Sequence, residues 1–520
     1  MTSSLTTWSQ YKSNWRVACY FLYRSRESKA RKCRQLRVTL NQTQHQLRKC
    51  KKQMEQQQRE IQQLKQQVRR LQTEKRIAAQ NVTPVLPADP PIGSHGYGAR
   101  MARLAVELAK AVGFRGAERS LQIVFQWLGV TDSTPHFTTI RTWMQRLGVA
   151  ELQRPVEVAD DWVWMVDHST QIGPEKALVV RAIRAAQLPP PGTPLKHKDM
   201  RLLRLEPGTT WKTKDMATTY AQLAQRCGAP RAILCDGAPE LRDGAECLKQ
   251  KRSDTIVLND FKHKCANFFK AMLAKDERFA EFTTLLGRTR SGIQQTELGH
   301  LVPPSMKQKA RFMNLGAVLE WATMIIWLLD HPEAEARRLV SAERLEDKLG
   351  WLRSFVDDVS RWHESQQVID RGLQFINTQG LFHGAAARLR ALMEVDLVHP
   401  SSQQMVERLV GFVAGEEAKL KPGERLPLST EILESSFGLY KQLERQHSKG
   451  GFTSLLAAFG ALLCDSSTTM IRQAFAAVSV EDVKHWCQEN LGATLTSKRN
   501  ATYREYRNDQ RRATKMPAVT

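Results

Sequence analysis

Two aspartates each close a short apolar run: Asp167 follows WVWMV, and Asp236 follows RAILC. In an α/β sheet, ligand-binding groups converge at the carboxyl ends of the strands. A first-strand and a fourth-strand aspartate in that position stand side by side. Carboxylates at close range repel, and a divalent cation relieves the repulsion. Oxygen-only ligands select Mg²⁺ or Mn²⁺ over zinc. Two such ions about 4 Å apart can activate water and stabilise the leaving oxygen of a phosphodiester. A third carboxylate must complete the set, and a helix after the sheet is a suitable source. Glu434 is the best candidate, because Ser429 or Thr430 can cap a helix that carries it one turn inside. Glu431 is its rival, although a first-turn acid is often only a partner of the helix dipole. His263, in DFKHK, follows the fifth strand and can contact a scissile phosphate or the attacking group, or bond locally at a helix start. Lys262 and Lys264 beside it are candidate phosphate contacts. Asp160, Asp161, Asp215, Asp243 and Asp260 compete as acids, and Asp260 is the most serious because it too ends an apolar run.

The elements that must position these groups follow from the pattern. Strands are expected at 162–167, 176–185, 200–206, 231–236 and 254–260, and helices at 216–227, 238–250 and from Lys262. The first three strands should form an antiparallel meander, with the fourth and fifth joined as parallel crossovers. That order is the one found in RNase H-like folds. Residues 266–425 lack strand signals and read as a large all-α insertion, followed by two helices within 426–463. The tail after Ser497 is basic and reads as unstructured.

Upstream lies a prolyl linker, 81–98, and before it a basic segment. Residues 1–80 hold 19 Lys/Arg and 4 Glu, so +15 of the chain's net +24 sits there. Leu40, Leu47, Met54, Ile61 and Val68 recur every seventh position, and Leu36, Leu64 and Leu71 form a partner series interrupted by Thr43, Cys50 and Gln57. This reads as a coiled coil that pairs two chains. Residues 99–150 read as three short helices, one bearing Met101, Leu104 and Leu108, one from Ala117 to Leu128 and one from Thr138. They resemble a helix-turn-helix module, with Thr138, Thr139, Arg141 and Arg146 facing a DNA groove.

At 520 residues with 77 Lys/Arg against 53 acids and a pI near 9.8, the chain needs more than one core and suggests a polyanionic partner. Nine scattered cysteines with no CxxC pair exclude a zinc ribbon and fit a reducing cytosol. No secretory leader is read at Met1–Thr7. The apolar run Leu315–Leu329 contains Glu320 and is too short to span a bilayer easily. There is no GxxxxGK[ST] or GxGxxG fingerprint.

VDHSTQIGPEKALVV, ILCDGAPEL, NDFKHKCANFFK and STEILESSFGLYKQLERQHSKGGFT together resemble bacterial insertion-sequence transposases with a DDE triad. TEILE is similar to the TNxxE signature of Mutator-like transposases, with Glu434 in the place of the catalytic glutamate and Glu431 in that of the asparagine. The 198 residues from Asp236 to Glu434 look like the helical insertion of those families. The resemblance implies Mg²⁺-dependent DNA cleavage and strand transfer at transposon ends, with Asp167, Asp236 and Glu434 as metal ligands. Lys441, Arg445, His447 and Lys449 are candidates to line a DNA channel. The implied assembly is a homodimer or higher homo-oligomer, cytoplasmic and associated with the bacterial nucleoid. The rival from another class is a catalytically silent, sequence-specific DNA-binding protein derived from a transposase.

Overall fold

The computed structural model describes residues 89–520 apart from 93–95, 131–132, 173–174, 307–311, 313–314, 332–340, 396, 445–451, 493–494 and 514–520. Before residue 89 it describes positions 54 and 56–70 and a few between 25 and 37. The chain divides into two units, 1–88 and 89–520. In the first, residues 56–70 are helical. Met54, Ile61, Leu64 and Val68, the described part of the seven-residue series, are each at least half exposed on the single chain. The remainder of that series lies outside the described residues.

In the second unit, helix α1 (Ala99–Leu128) is broken at Gly113, and α2 spans Phe137–Gln153. The Asp89 carboxylate starts α1 by accepting the amides of Arg100 and Met101 at 3.0 and 2.8 Å. The three expected helical segments are therefore present. They do not stand apart from the rest of the chain, however. Ile140, Trp143, Met144 and Leu147 of α2 join the main core. Gly148 lets α2 approach the 454–458 turn so closely that an added Cβ would lie 2.0 Å from the Ala457 carbonyl oxygen.

A five-stranded mixed sheet follows: β1 (Trp162–Ile172), β2 (Glu175–Arg184), β3 (Arg201–Gly208), β4 (Ala232–Cys235) and β5 (Ile256–Asn259). Its order is β3-β2-β1-β4-β5. β1, β2 and β3 pair antiparallel, and β1, β4 and β5 pair parallel, as the strand pattern predicts. Both faces are covered, so the strands are apolar runs rather than alternating ones. Val163, Met165 and Val179 face the main core. Trp164, Val166, Leu178 and Val180 face a second core that includes Tyr220 of α3 (Thr213–Cys227) and Leu241 of α4 (Pro239–Lys251).

α5 (Phe261–Leu273) leads into the helical insertion: α6 (Glu277–Ile293), α7 (Gly316–Asp330), α8 (Ala342–Leu349), α9 (Val356–Gln379), α10 (Ala385–Met393) and α11 (Pro400–Glu417). Phe279 and Phe282 meet Trp362 edge-on at 5.2 and 5.3 Å, which anchors α6 on α9. One expectation needs correcting here: the insertion contains β6 (Leu381–Phe382), paired antiparallel with β7 (Arg425–Leu426). Two residues are too few for a periodic signal. α12 (Glu431–Glu444) then returns to the sheet. α13 (Phe459–Leu463), α14 (Thr468–Ala477) and α15 (Val480–Asn490) follow, and Ala457, Val478 and Val483 form a small core with Val149 of α2. The basic tail is also corrected: α16 spans Leu495–Ala513. It has neither Gly nor Pro to break it, and its described side chains are exposed.

Candidate active site

The ladder between β1 and β4 ends at Val166 opposite Cys235. Asp167 and Asp236 are the next residues on the two strands. β1 itself does not stop there; it continues to Ile172 against β2, so Asp167 lies inside a strand that has outlasted its parallel neighbour. Asp167 is only 6% exposed. At Asp236 the chain turns away through Gly237, whose φ of 88° suits glycine, and the Asp236 carboxylate accepts the Ala238 amide at 2.8 Å.

Burial, then the charge of Asp236 and, more weakly, that of Glu434, push the Asp167 carboxyl up to about 7, against the pull of His263 and His168. Asp236 and Glu434 thus both act electrostatically on Asp167, although 198 residues separate them in the chain. His263 joins them. Burial opposes its charge, but its hydrogen bond to Asp260 and the charges of Asp260, Asp236 and Asp167 carry it up to about 9. It is therefore an imidazolium at neutral pH.

Asp260, the rival acid, holds the site together. It caps α5, accepting the His263 amide at 2.8 Å and His263 Nδ1 at 2.6 Å on one oxygen. Its other oxygen accepts the Thr430 amide at 2.6 Å, just before α12. Its own amide donates to the Cys235 carbonyl, and that of Phe261 donates to Leu428. One fully buried carboxylate thus ties the end of β5 to the helices that carry His263 and Glu434. An aspartate cap followed three residues later by the histidine it orients was visible in DFKH but was read only as a competing ligand.

Of the two proposed caps of α12, the Ser429 hydroxyl accepts the Glu431 amide at 3.3 Å, whereas the buried Thr430 hydroxyl has no described partner. α12 is further held by Arg181 of β2. This fully buried arginine donates to Ser436 Oγ at 3.0 Å and to His197 Nδ1 at 2.9 Å, and His197 Nε2 lies 3.1 Å from Ser435 Oγ. Burial, then the neighbouring Arg181 charge, lowers His197 to about 4, so it stays neutral. Within a strand-like run, nothing marked Arg181 as the contact between sheet and helix.

Among the described residues, no group of three or more His, Cys, Asp or Glu is arranged to hold a metal ion. Glu434 is paired instead with Lys262, whose Nζ lies 2.7 Å from Glu434 and 3.1 Å from Glu431. Glu431 also accepts from Asn377 Nδ2 at 2.5 Å. The donor chemistry nevertheless suits a hard divalent cation: the candidate ligands offer oxygen only, and Asp167 is raised by burial and then by the neighbouring Asp236 charge. Beside the acids, His168 Nε2 meets Glu240 at 2.5 Å and its ring stacks on Trp211, a pair that the sequence reading missed.

The remaining candidates are dispersed. Arg146 is corrected: it is 3% exposed and donates to the carbonyls of Phe475 and Val478 at 2.6 and 2.7 Å, so its guanidinium is turned into the protein rather than toward a groove. Thr138 is exposed, whereas Thr139 and Arg141 are half-buried. The Thr138 hydroxyl lies 2.7 Å from His136 Nδ1. Lys264 points over the Phe412 ring, with Nζ 5.9 Å from its centre. Lys441 is exposed on α12, while Arg445, His447 and Lys449 lie outside the described residues. No described helix is long and apolar enough to cross a membrane.

No protein-family model matches the sequence, and no curated protein matches it. Among solved structures, the chain is similar to one described as the Drosophila P element transposase strand transfer complex. The identity is 11%, the match covers 79% of this chain and 99% of that one, and the TM-score is 0.35, too low to bear on function.

Proposed function

We propose that the chain is a metal-dependent DNA transposase with a DDE-type site on an RNase H-like sheet. The observation that carries the reading is that Asp167, buried, and Asp236 directly follow the last pair of the β1–β4 ladder, with Glu434 near enough to act on Asp167. The strand order, an antiparallel meander extended by two parallel crossovers, supports the sheet assignment. Asp167, Asp236 and Glu434 would hold Mg²⁺ or Mn²⁺, which would supply charge neutralisation and activation of the attacking oxygen. Around them the chain's own groups position the reaction. His263, fixed by Asp260 and carrying a proton, lies near enough to Asp236 and Asp167 to feel their charge, and would donate to a phosphate oxygen or a leaving oxygen. Arg181 and Asp260 hold α12, and with it Glu434, against the sheet.

Hydrolysis by water would break a P–O3′ bond and leave a 3′-hydroxyl. That hydroxyl would then attack a target phosphodiester and displace its 3′-oxygen. The net charge of +24 suits a DNA partner. Joining two ends calls for two or more copies of the chain, and the exposed seven-residue apolar series in the first unit suits their pairing.

The second reading is a silent DNA-binding protein, and the observation in its favour is the capture of Glu434 by Lys262. Cleavage of DNA carrying the flanking element's ends, with Mg²⁺ present, separates the two. The enzyme reading expects wild-type cleavage that is lost in a folded Asp236→Asn protein still able to bind DNA. Equal cleavage by both proteins would remove Asp236 from the site, and end-specific binding without cleavage would favour the silent reading.

A further inference from the structure

We propose that Lys262 is the resident counter-cation of Glu434, and that a divalent cation loads the site by displacing it onto Glu431. The inference rests on the carboxylate-site reading above. Lys262 occupies the first turn of α5, the end of a helix where a positive side chain is disfavoured by the dipole. Its own helix therefore gives no reason for a lysine there, whereas the two acids of α12 do. The ammonium bridges them, 2.7 Å from Glu434 and 3.1 Å from Glu431, and Lys262 is largely buried.

The two acids are not equivalent. Glu431 has a second hold from Asn377, at 2.5 Å, on its other oxygen. Among the described residues, Lys262 is the single side-chain hydrogen-bond partner of Glu434. Glu434 can thus turn toward Asp167 and Asp236 when a cation arrives, while Glu431 stays fixed and keeps the ammonium. This gives Glu431, the rival acid of the sequence reading, a role that is not coordination. It also makes Lys262 a positioning residue, acting on the site through Glu434.

The test is Mn²⁺ binding to the full chain by calorimetry, which needs no DNA and no turnover. If the ion pair holds Glu434 in about nine molecules of ten, Lys262→Met binds Mn²⁺ about tenfold more tightly than wild type. Glu431→Gln binds more weakly, because the ammonium then has Glu434 alone. In the Lys262→Met background Glu431→Gln has little further effect, a non-additivity that general charge does not produce. Lys264→Met, which removes an equal charge two residues away, leaves the affinity near wild type.

Wild-type binding that is lost in Asp167→Asn but unchanged in a folded Lys262→Met protein would overturn the exchange and leave the site standing. Equal tightening by Lys262→Met and Lys264→Met would overturn it as well. Absence of any Mn²⁺ binding sensitive to Asp167→Asn, in every variant, would overturn the metal-site reading and this inference together.

Discussion

Truncating Asp260 should cost more stability than removing any of the proposed metal ligands. Its carboxylate is completely buried and accepts three hydrogen bonds, from the His263 amide, His263 Nδ1 and the Thr430 amide. Asp260→Ala leaves one buried and one partly buried amide, those of Thr430 and His263, without an acceptor, at about 1–3 kcal/mol each. It also strands a partly buried imidazolium, and breaking a buried charge pair costs about 3–5 kcal/mol when the survivor stays charged. His263 is about a quarter exposed and can release its proton instead, which limits that part. A total of about 3–5 kcal/mol is therefore expected. Asp260→Asn keeps one acceptor oxygen and the shape, and should lose about 1–3 kcal/mol.

The pH dependence has a defined sign. His263 is raised from 6.5 to about 9, so its contribution is complete below about 6.5 and is lost as the pH rises through about 9. The gap between wild type and Asp260→Ala should shrink over that window. Urea unfolding of the full chain, followed by tryptophan fluorescence from pH 6.5 to 9.5, measures both quantities. An Asp260→Ala protein within about 1 kcal/mol of wild type, or a gap that widens with pH, would refute the reasoning.

Further outcomes are expected at Asp167 and at Arg146. Asp167, raised from 3.8 to about 7, must lose a proton before it can bind a cation, so Mn²⁺ affinity should climb with pH up to about 7 and level off above it. Without metal, the same shift contributes stability that is complete below 3.8 and lost as the pH rises through about 7, and a calorimetric pH series on Asp167→Asn should lack that loss. Arg146→Met should destabilise the fold by about 2–4 kcal/mol, because buried carbonyls lose a charged donor. It should leave the salt dependence of DNA binding unchanged; a slope smaller by about one would show that Arg146 contacts phosphate after all.

The sheet was legible because its strands are buried on both faces and stand out as apolar runs. The crossovers were legible because strands alternate with helical spacing between Arg201 and Phe261. Asp167 and Asp236 stand out in the sequence as candidates because each directly follows such a run, and Glu434 because it sits one turn inside a helix start. What local pattern could not supply was the far partner of each polar group. Arg146 occupies a helix face that looks solvent-directed until the end of α14 packs on it. Arg181 lies in a run that reads as plain strand until Ser436 and His197 arrive from distant segments. Asp260 and Lys262 each end a strand or begin a helix, and such residues are ordinarily local caps or solvated charges. Only folding brings Thr430 to one and Glu434 to the other. Periodicity and capping are interactions within a few residues, so the sequence alone determined the elements and the acids they carry. Hydrogen bonds and charge pairs between residues some 170 apart depend on how those elements pack, so only the tertiary structure decided which acid ties helices together and which one holds a lysine.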